Sequence, residues 1–273
     1  MHQLRLSIVL STHAAQFEAV ALKGDLTANF AKIASWGYEG VELAIRDPDL
    51  VDASMLEKVL ADHGLAVPAI GTGQAWGEER LSFTSDDPKI RRLAIDRIKR
   101  HIPLAKRFKS LVIIGLIRGV SPPGQSRSQS MNFLAEGLEE CLDTATTAGV
   151  RLALEPLNRY ETDLIHNVAE GLELVHRIGS SNLGLLLDTF HMNIEEAVVE
   201  ASIRRCNEHI FHFHVADSNR KHPGAGHLDF YSILQALSST GYPGWISGEF
   251  MPIPDPDTAS SNNIKFLRGI LIR

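Results

Sequence analysis

Leu183–Glu196 reads LGLLLDTFHMNIEE. Leu183 to Leu187 is a short apolar run with one Gly inside it, the pattern of a strand covered on both faces. The run ends in an acid, Asp188, and His191 follows three residues later. Asn193 and Glu196 have the spacing of a capping box, which predicts a helix from about Ile194. The order is therefore strand, then an Asp and a His in the connecting turn, then helix. In a parallel α/β barrel that turn lies at the carboxyl ends of the strands, where active sites are built. Taken alone, Asp188 and His191 are equally well explained as residues that cap a loop. The rest of the chain decides between the two.

Working outward, the same unit recurs. Strands are expected at 5–12, 38–45, 65–71 and 111–117, then 151–157, 183–187, 210–216 and 245–250. Helices are expected at 26–36, 53–63, 87–108, 129–148 and 168–178, after the sixth strand, from Asp229 or Phe230, and at 258–272. Pro88 suits a first helical position, while Pro103 predicts a kink or an early stop. The stretch GTGQAWGEERLSF, 71–83, is long for a loop and carries Trp76 and Phe83, so it is expected to fold over a site. Eight alternating strand–helix units argue for a closed parallel barrel, a (β/α)8 TIM barrel, over an open sheet. The 273 residues fit a single such domain spanning 1–273.

Composition excludes several classes. A net charge of −6 with no basic run leaves no electrostatic footprint for nucleic acid. Leu4–Leu10 is too short to span a membrane, and no cleavage signal follows it. The two cysteines, Cys141 and Cys206, fall in expected helices and read as buried thiols of a reducing compartment. A cytoplasmic protein is expected.

Four late strands end in side chains that bind metals: Glu155, Asp188, His214 and Glu249. His212 and His214 share one face of their strand, because side chains alternate. Three carboxylates at one barrel mouth repel each other unless a cation lies among them. An oxygen-rich set with one imidazole suits one divalent ion such as Mn²⁺, Mg²⁺ or Co²⁺ better than structural zinc. The competing reading of each residue is a polar plug in the barrel core, a reading that weakens when all four converge.

EPLNRYE (155–161), DTFHMNIEE (188–196), HFHVADSNR (212–220), PGAGHLDF (223–230) and GEF (248–250) resemble the xylose-isomerase-like barrels, and within them the ketose 3-epimerases acting on D-tagatose, D-psicose and L-ribulose. ALKGDL (21–26), EGVELAIRDP (39–48), AIGTGQAW (69–76) and LVIIGLIRG (111–119) look most like the subgroup containing 5-keto-L-gluconate epimerase, an enzyme of inositol breakdown. The resemblance implies metal ligands at Glu155, Asp188, His214 and Glu249. It also implies acid–base glutamates at Glu155 and Glu249, and substrate-holding residues at Glu161, His191 and Arg220. It implies a small-molecule sugar as partner and a homodimer or homotetramer as assembly. The activity implied is inversion of a carbon beside the keto group, through a metal-bound enediolate, with one carboxylate removing a proton and the other returning it.

Other residues carry plainer expectations. Glu195 and Glu196 read as helix-start acids, His212 as a partner behind the ligands, Asp229 as an N-cap and Glu42 as a polar residue of the barrel interior. His227 is expected either to order its loop near the metal or to play no part there. Arg159 is expected to position Glu161. Arg118 and Arg46, each closing an early strand, are expected at the mouth, where an arginine fork would favour a keto sugar acid over a neutral ketose. The alternative is that they pair with acids on the rim. An apurinic endonuclease is disfavoured because strands two to four end in Ile45, Gly71 and Arg118 rather than histidine, and Arg220-Lys221-His222 lacks an acid. An aldose–ketose isomerase of the hydroxypyruvate type, or a decarboxylase of a 3-oxo sugar acid, would use the same ligands. A sugar-binding or regulatory barrel would leave them idle.

Overall fold

The strands pair in a ring, as the computed structural model of residues 4–271 shows; Ile272, part of the expected last helix, lies outside the described residues. In chain order the elements are β1 (Arg5–Ser11), β2 (Leu22–Lys23), α1 (Leu26–Trp36), β3 (Gly40–Ala44), α2 (Ala53–Asp62), β4 (Ala69–Gly71) and α3 (Gln74–Glu79). They continue with α4 (Pro88–Phe108), β5 (Leu111–Ile114), α5 (Arg127–Ala148), β6 (Leu152–Leu154), α6 (Val168–Ile178) and β7 (Leu183–Asp188). The last are α7 (Thr189–Glu195), α8 (Val199–Cys206), β8 (Ile210–Val215), α9 (Phe230–Ser239), β9 (Trp245–Gly248) and α10 (Pro256–Leu271). All pairings are parallel, and β1 against β9, with Ser7 opposite Ser247, closes eight strands into a barrel. The two-residue β2 adds to β1 outside that ring.

Alternation along each strand sorts the side chains into two cores. The larger lies between strands and helices; Ile8, Leu43, Val112 and Leu185 belong to it. The smaller fills the barrel interior with Ala69, Leu111, Ile113, Ala153 and Leu186. Two residues on from Ala153 and Leu186, on the same faces, stand Glu155 and Asp188. The interior therefore changes from an apolar plug to acids at the carboxyl ends of the strands.

Several expected details differ. The helix after β7 begins at Thr189, not Ile194, because Asp188 itself caps it, accepting from the Phe190 N–H at 2.8 Å. Glu196 instead accepts from the first N–H of α6, at Val168, and from Ser202, so it is no helix-start acid of its own segment. The helix expected from about Ile194 and containing Cys206 is instead split into α7 and α8, with a break at 196–198. Helix α4 runs through Pro103 to Phe108 without the expected stop, with Ile98, Ile102 and Ala105 buried along it. The 71–83 stretch folds in part as α3 and lines the cavity at the mouth. Asp229 caps α9 as expected, accepting from Tyr231 and Ser232. Both cysteines are buried and free. Among the described residues, no helix is long and apolar enough to cross a membrane.

Candidate active site

Glu155 directly follows β6, Asp188 ends β7, His214 lies one residue before the end of β8, and Glu249 directly follows β9. One ligand atom from each of the four lies within 4.8 Å of the others, in a buried cluster that could hold a metal ion. Three of these atoms, Glu155 Oε1, Asp188 Oδ2 and His214 Nδ1, are buried and have no hydrogen-bond partner. Unpaired buried polar atoms carry a penalty of about 1–3 kcal/mol each, more when charged. A cation between them removes it, so the donor set fits a divalent ion of the oxygen-preferring kind. His214 Nδ1 lies 3.9 Å from Glu155 Oε1 and 3.8 Å from Glu249 Oε2.

The metal-free electrostatics are those of crowded acids. Burial, and then the neighbouring Glu249, push the Glu155 carboxyl well above the usual range. Burial pushes Glu249 up to about 7 although His214 and Arg220 oppose it. Asp188 is raised by burial as well. His214 is raised well above an ordinary imidazole: burial lowers it, and Glu42, with Glu249 and Glu155, together more than reverse that.

His191 is buried, and its Nδ1 accepts from the Asn158 side-chain amide at 2.7 Å. Its proton therefore sits on Nε2, which has no partner and lies 3.8 Å from Asp188 Oδ2 and 3.9 Å from Glu155 Oε1. Burial, with Arg220 and Arg118 nearby, holds this imidazole well below its ordinary range, so it faces the cavity as a neutral donor. Arg220 donates to Glu161 Oε1 at 2.5 Å and lies 3.8 Å from Glu249 Oε2. Its guanidinium packs against the rings of Phe17 and Phe190. Arg220 adopts a left-handed backbone, φ 58°, within a turn gathered by Asp217, whose carboxylate accepts from Ser218, Gly224 and Leu228. Glu161, His191, His214, Arg220, Glu155 and Glu249 all line one cavity of about 270 Å³.

Other expectations are corrected. Arg118 is fully buried and absent from the cavity lining; the 3-10 turn Leu116–Arg118 folds it inward, where it donates to the carbonyls of Gly115, Leu164 and Ile165. Arg46 pairs with Glu78 and Glu79 on α3, so the alternative of rim pairing holds for it. Arg159 grips Glu195 through its backbone N–H, Nε and Nη2, not Glu161. His227 bonds Ser218 Oγ and is not part of the cavity lining. His212, read as a partner behind the ligands, shares the Glu42 carboxylate with His214. Sequence reasoning did not find Asp217, which gathers its own loop, or Asn158, whose partner His191 lies 33 residues on. Nor did it find Phe17 and Gln16, which line the cavity from the segment after β1.

Residues 30–270 match the family described as the xylose isomerase-like TIM barrel. The chain belongs to that family. It is 32% identical to the L-ribulose 3-epimerase of Mesorhizobium japonicum over 88% of this chain and 80% of that one. It is equally 32% identical to the D-psicose 3-epimerase of Ruminiclostridium cellulolyticum, over 88% of this chain and 82% of that one. A solved L-ribulose 3-epimerase superposes with a TM-score of 0.84 at 29% identity, covering 98% of this chain and 95% of that one. The xylose isomerase-like barrel described here is thus an enzyme of the isomerase class, among the sugar epimerases.

Proposed function

We propose that this enzyme inverts the carbon next to the keto group of a neutral ketose, as a divalent-metal-dependent 3-epimerase. The observation that carries the reading is the pair Glu155 and Glu249, a buried carboxylate directly after β6 and a part-buried one directly after β9, that meet at one cavity beside His214. Glu155, Asp188, His214 and Glu249 would hold the ion, Mn²⁺ first, with Mg²⁺ or Co²⁺ as substitutes. Such an ion would polarise the ketone and offset the negative charge that develops on its oxygen.

The chain's own groups do the rest. Glu155 and Glu249 serve as the two bases, one taking the proton from one face of the carbon and the other returning a proton to the opposite face. His191 Nε2–H and Arg220 donate to the oxygens on which charge develops. Glu161 holds the Arg220 guanidinium and accepts from a sugar hydroxyl. The cavity volume is near the lower end of the about 300–1,000 Å³ usual for small-molecule sites, which suits a monosaccharide. Its walls include Val9, Phe17, Val20, Leu116 and Leu157 against the apolar C–H face of the sugar.

The preference for a keto sugar acid is withdrawn, since Arg118 and Arg46 are both engaged elsewhere. Among the described residues lining the cavity, the sole Arg or Lys is Arg220, whose charge Glu161 already balances at Nη1. The two free, buried thiols support a cytoplasmic site of action. The test is a panel of D-fructose, D-psicose, D-tagatose, L-ribulose and 5-keto-L-gluconate followed by NMR. The enzyme is assayed as isolated, after chelation, and after return of Mn²⁺. Conversion of a neutral ketose that chelation abolishes and Mn²⁺ restores is expected. Full activity in protein free of metal by elemental analysis, or turnover of the keto acid alone, would overturn it.

A further inference from the structure

His214 presents one ring nitrogen to the cluster of acids and turns the other away. The Nε2 side lies 2.9 Å from Glu42 Oε2 and 3.1 Å from Glu42 Oε1. Glu42 comes from β3, across the barrel, and is 1% exposed. The same carboxylate lies 2.7 Å from His212 Nε2, so two buried imidazoles converge on one acid. A carboxylate accepts and cannot donate, so the proton in each contact belongs to the histidine.

From this geometry we infer that Glu42 is a positioning residue for the metal centre. It fixes His214 as the Nε2–H tautomer and leaves the Nδ1 lone pair, which has no other partner, aimed between Glu155 and Glu249. A ligating imidazole needs such an acceptor on its far nitrogen to set ring orientation and tautomer. The inference rests on the metal reading given above. His212 makes it specific. His212 Nε2 bonds Oε2 alone, whereas His214 Nε2 lies within 3.1 Å of both oxygens, so a neutral amide that turns its oxygen to His212 brings its nitrogen against His214. The histidine facing the amide nitrogen must give up its Nε2 proton. In His214 that moves the proton to Nδ1, the atom meant for the metal.

The test compares the parent, Glu42→Gln, His212→Phe and the double variant. Free Mn²⁺ is measured by electron paramagnetic resonance during titration, on proteins of matched thermal stability. Glu42→Gln is expected to weaken Mn²⁺ binding about 10–100-fold. His212→Phe should remain within about threefold of the parent. The double variant should regain most of the loss, because the amide oxygen is then free for His214. Should Glu42→Gln not fold, the ¹⁵N resonances of the parent's histidines, loaded with diamagnetic Zn²⁺, decide the matter: the His214 proton is expected on Nε2.

Binding of Mn²⁺ by Glu42→Gln within twofold of the parent would overturn the inference and leave the metal reading intact. So would a double variant as weak as Glu42→Gln, or a His214 proton found on Nδ1. A parent that binds no divalent ion would overturn the metal reading and this inference with it.

Discussion

At the residue scale the site turns on what is left unpaired. Glu155 Oε1, Asp188 Oδ2, His214 Nδ1 and His191 Nε2 have no partners, whereas the far sides of both histidines are bonded, to Glu42 and to Asn158. A fold that satisfies one half of each group and leaves the other half facing one point is built around something placed there. Replacing Glu155 or Glu249 with Gln keeps the size and removes the proposed base. Each change is expected to lower kcat about 10²–10⁴-fold with metal confirmed present, as measured by NMR of ketose turnover. Loss of less than about threefold from either would remove that residue from the pair of bases. That Glu155, Asp188, His214 and Glu249 meet was legible in the sequence because each stands at or beside the end of a strand, where residue type alone is informative. Arg118 was misread for a related reason: LVIIGLIR looks like one strand running to the mouth, but the strand stops at Ile114 and a 3-10 turn carries the arginine into the interior.

At the scale of elements, eight strands and their order were legible from short apolar runs alternating with helical patterns. Boundaries were less so. The Asn193–Glu196 spacing mimics a cap, yet the real cap is Asp188, one position before the helix, an assignment that depends on where β7 ends. The links that set Glu42, His212 and His214 together span 170 residues or more, and no local pattern records them. Gly184 is another such case. A Cβ placed there would lie 2.4 Å from the Phe211 ring and 2.7 Å from the His209 carbonyl, since β7 and β8 pack closely beside a register shift. Gly184→Ala is therefore expected to lose about 1–3 kcal/mol of stability through overpacking. Urea unfolding followed by circular dichroism measures this, and an unchanged midpoint would mean that β8 shifts freely.

For the whole molecule, the buried acids tie stability to pH and metal. In the metal-free protein Glu249 is raised to about 7, and Glu155 and His214 are raised well above their ordinary values. A raised group binds more protons folded than unfolded, so its contribution is lost as pH rises through its folded value. Buried histidines held low, such as His191 and His101, act in the opposite sense, but only below about pH 6.5, where the unfolded imidazole takes up its proton. From pH 6.5 to 8.5 the metal-free melting temperature should therefore fall. Saturating Mn²⁺ should remove most of that fall, since it binds the deprotonated ligands. A melting temperature that rises over this range without metal would contradict the charge arrangement. The central claim, two-base inversion beside an unmoved ketone, has a more direct test. The Mn²⁺-loaded enzyme is incubated with D-fructose or L-ribulose in D₂O, and the product is read by NMR. An inverted ketose carrying deuterium at the inverted carbon, with its carbonyl where it began, is expected. An aldose product, with the carbonyl moved to the neighbouring carbon, would contradict it.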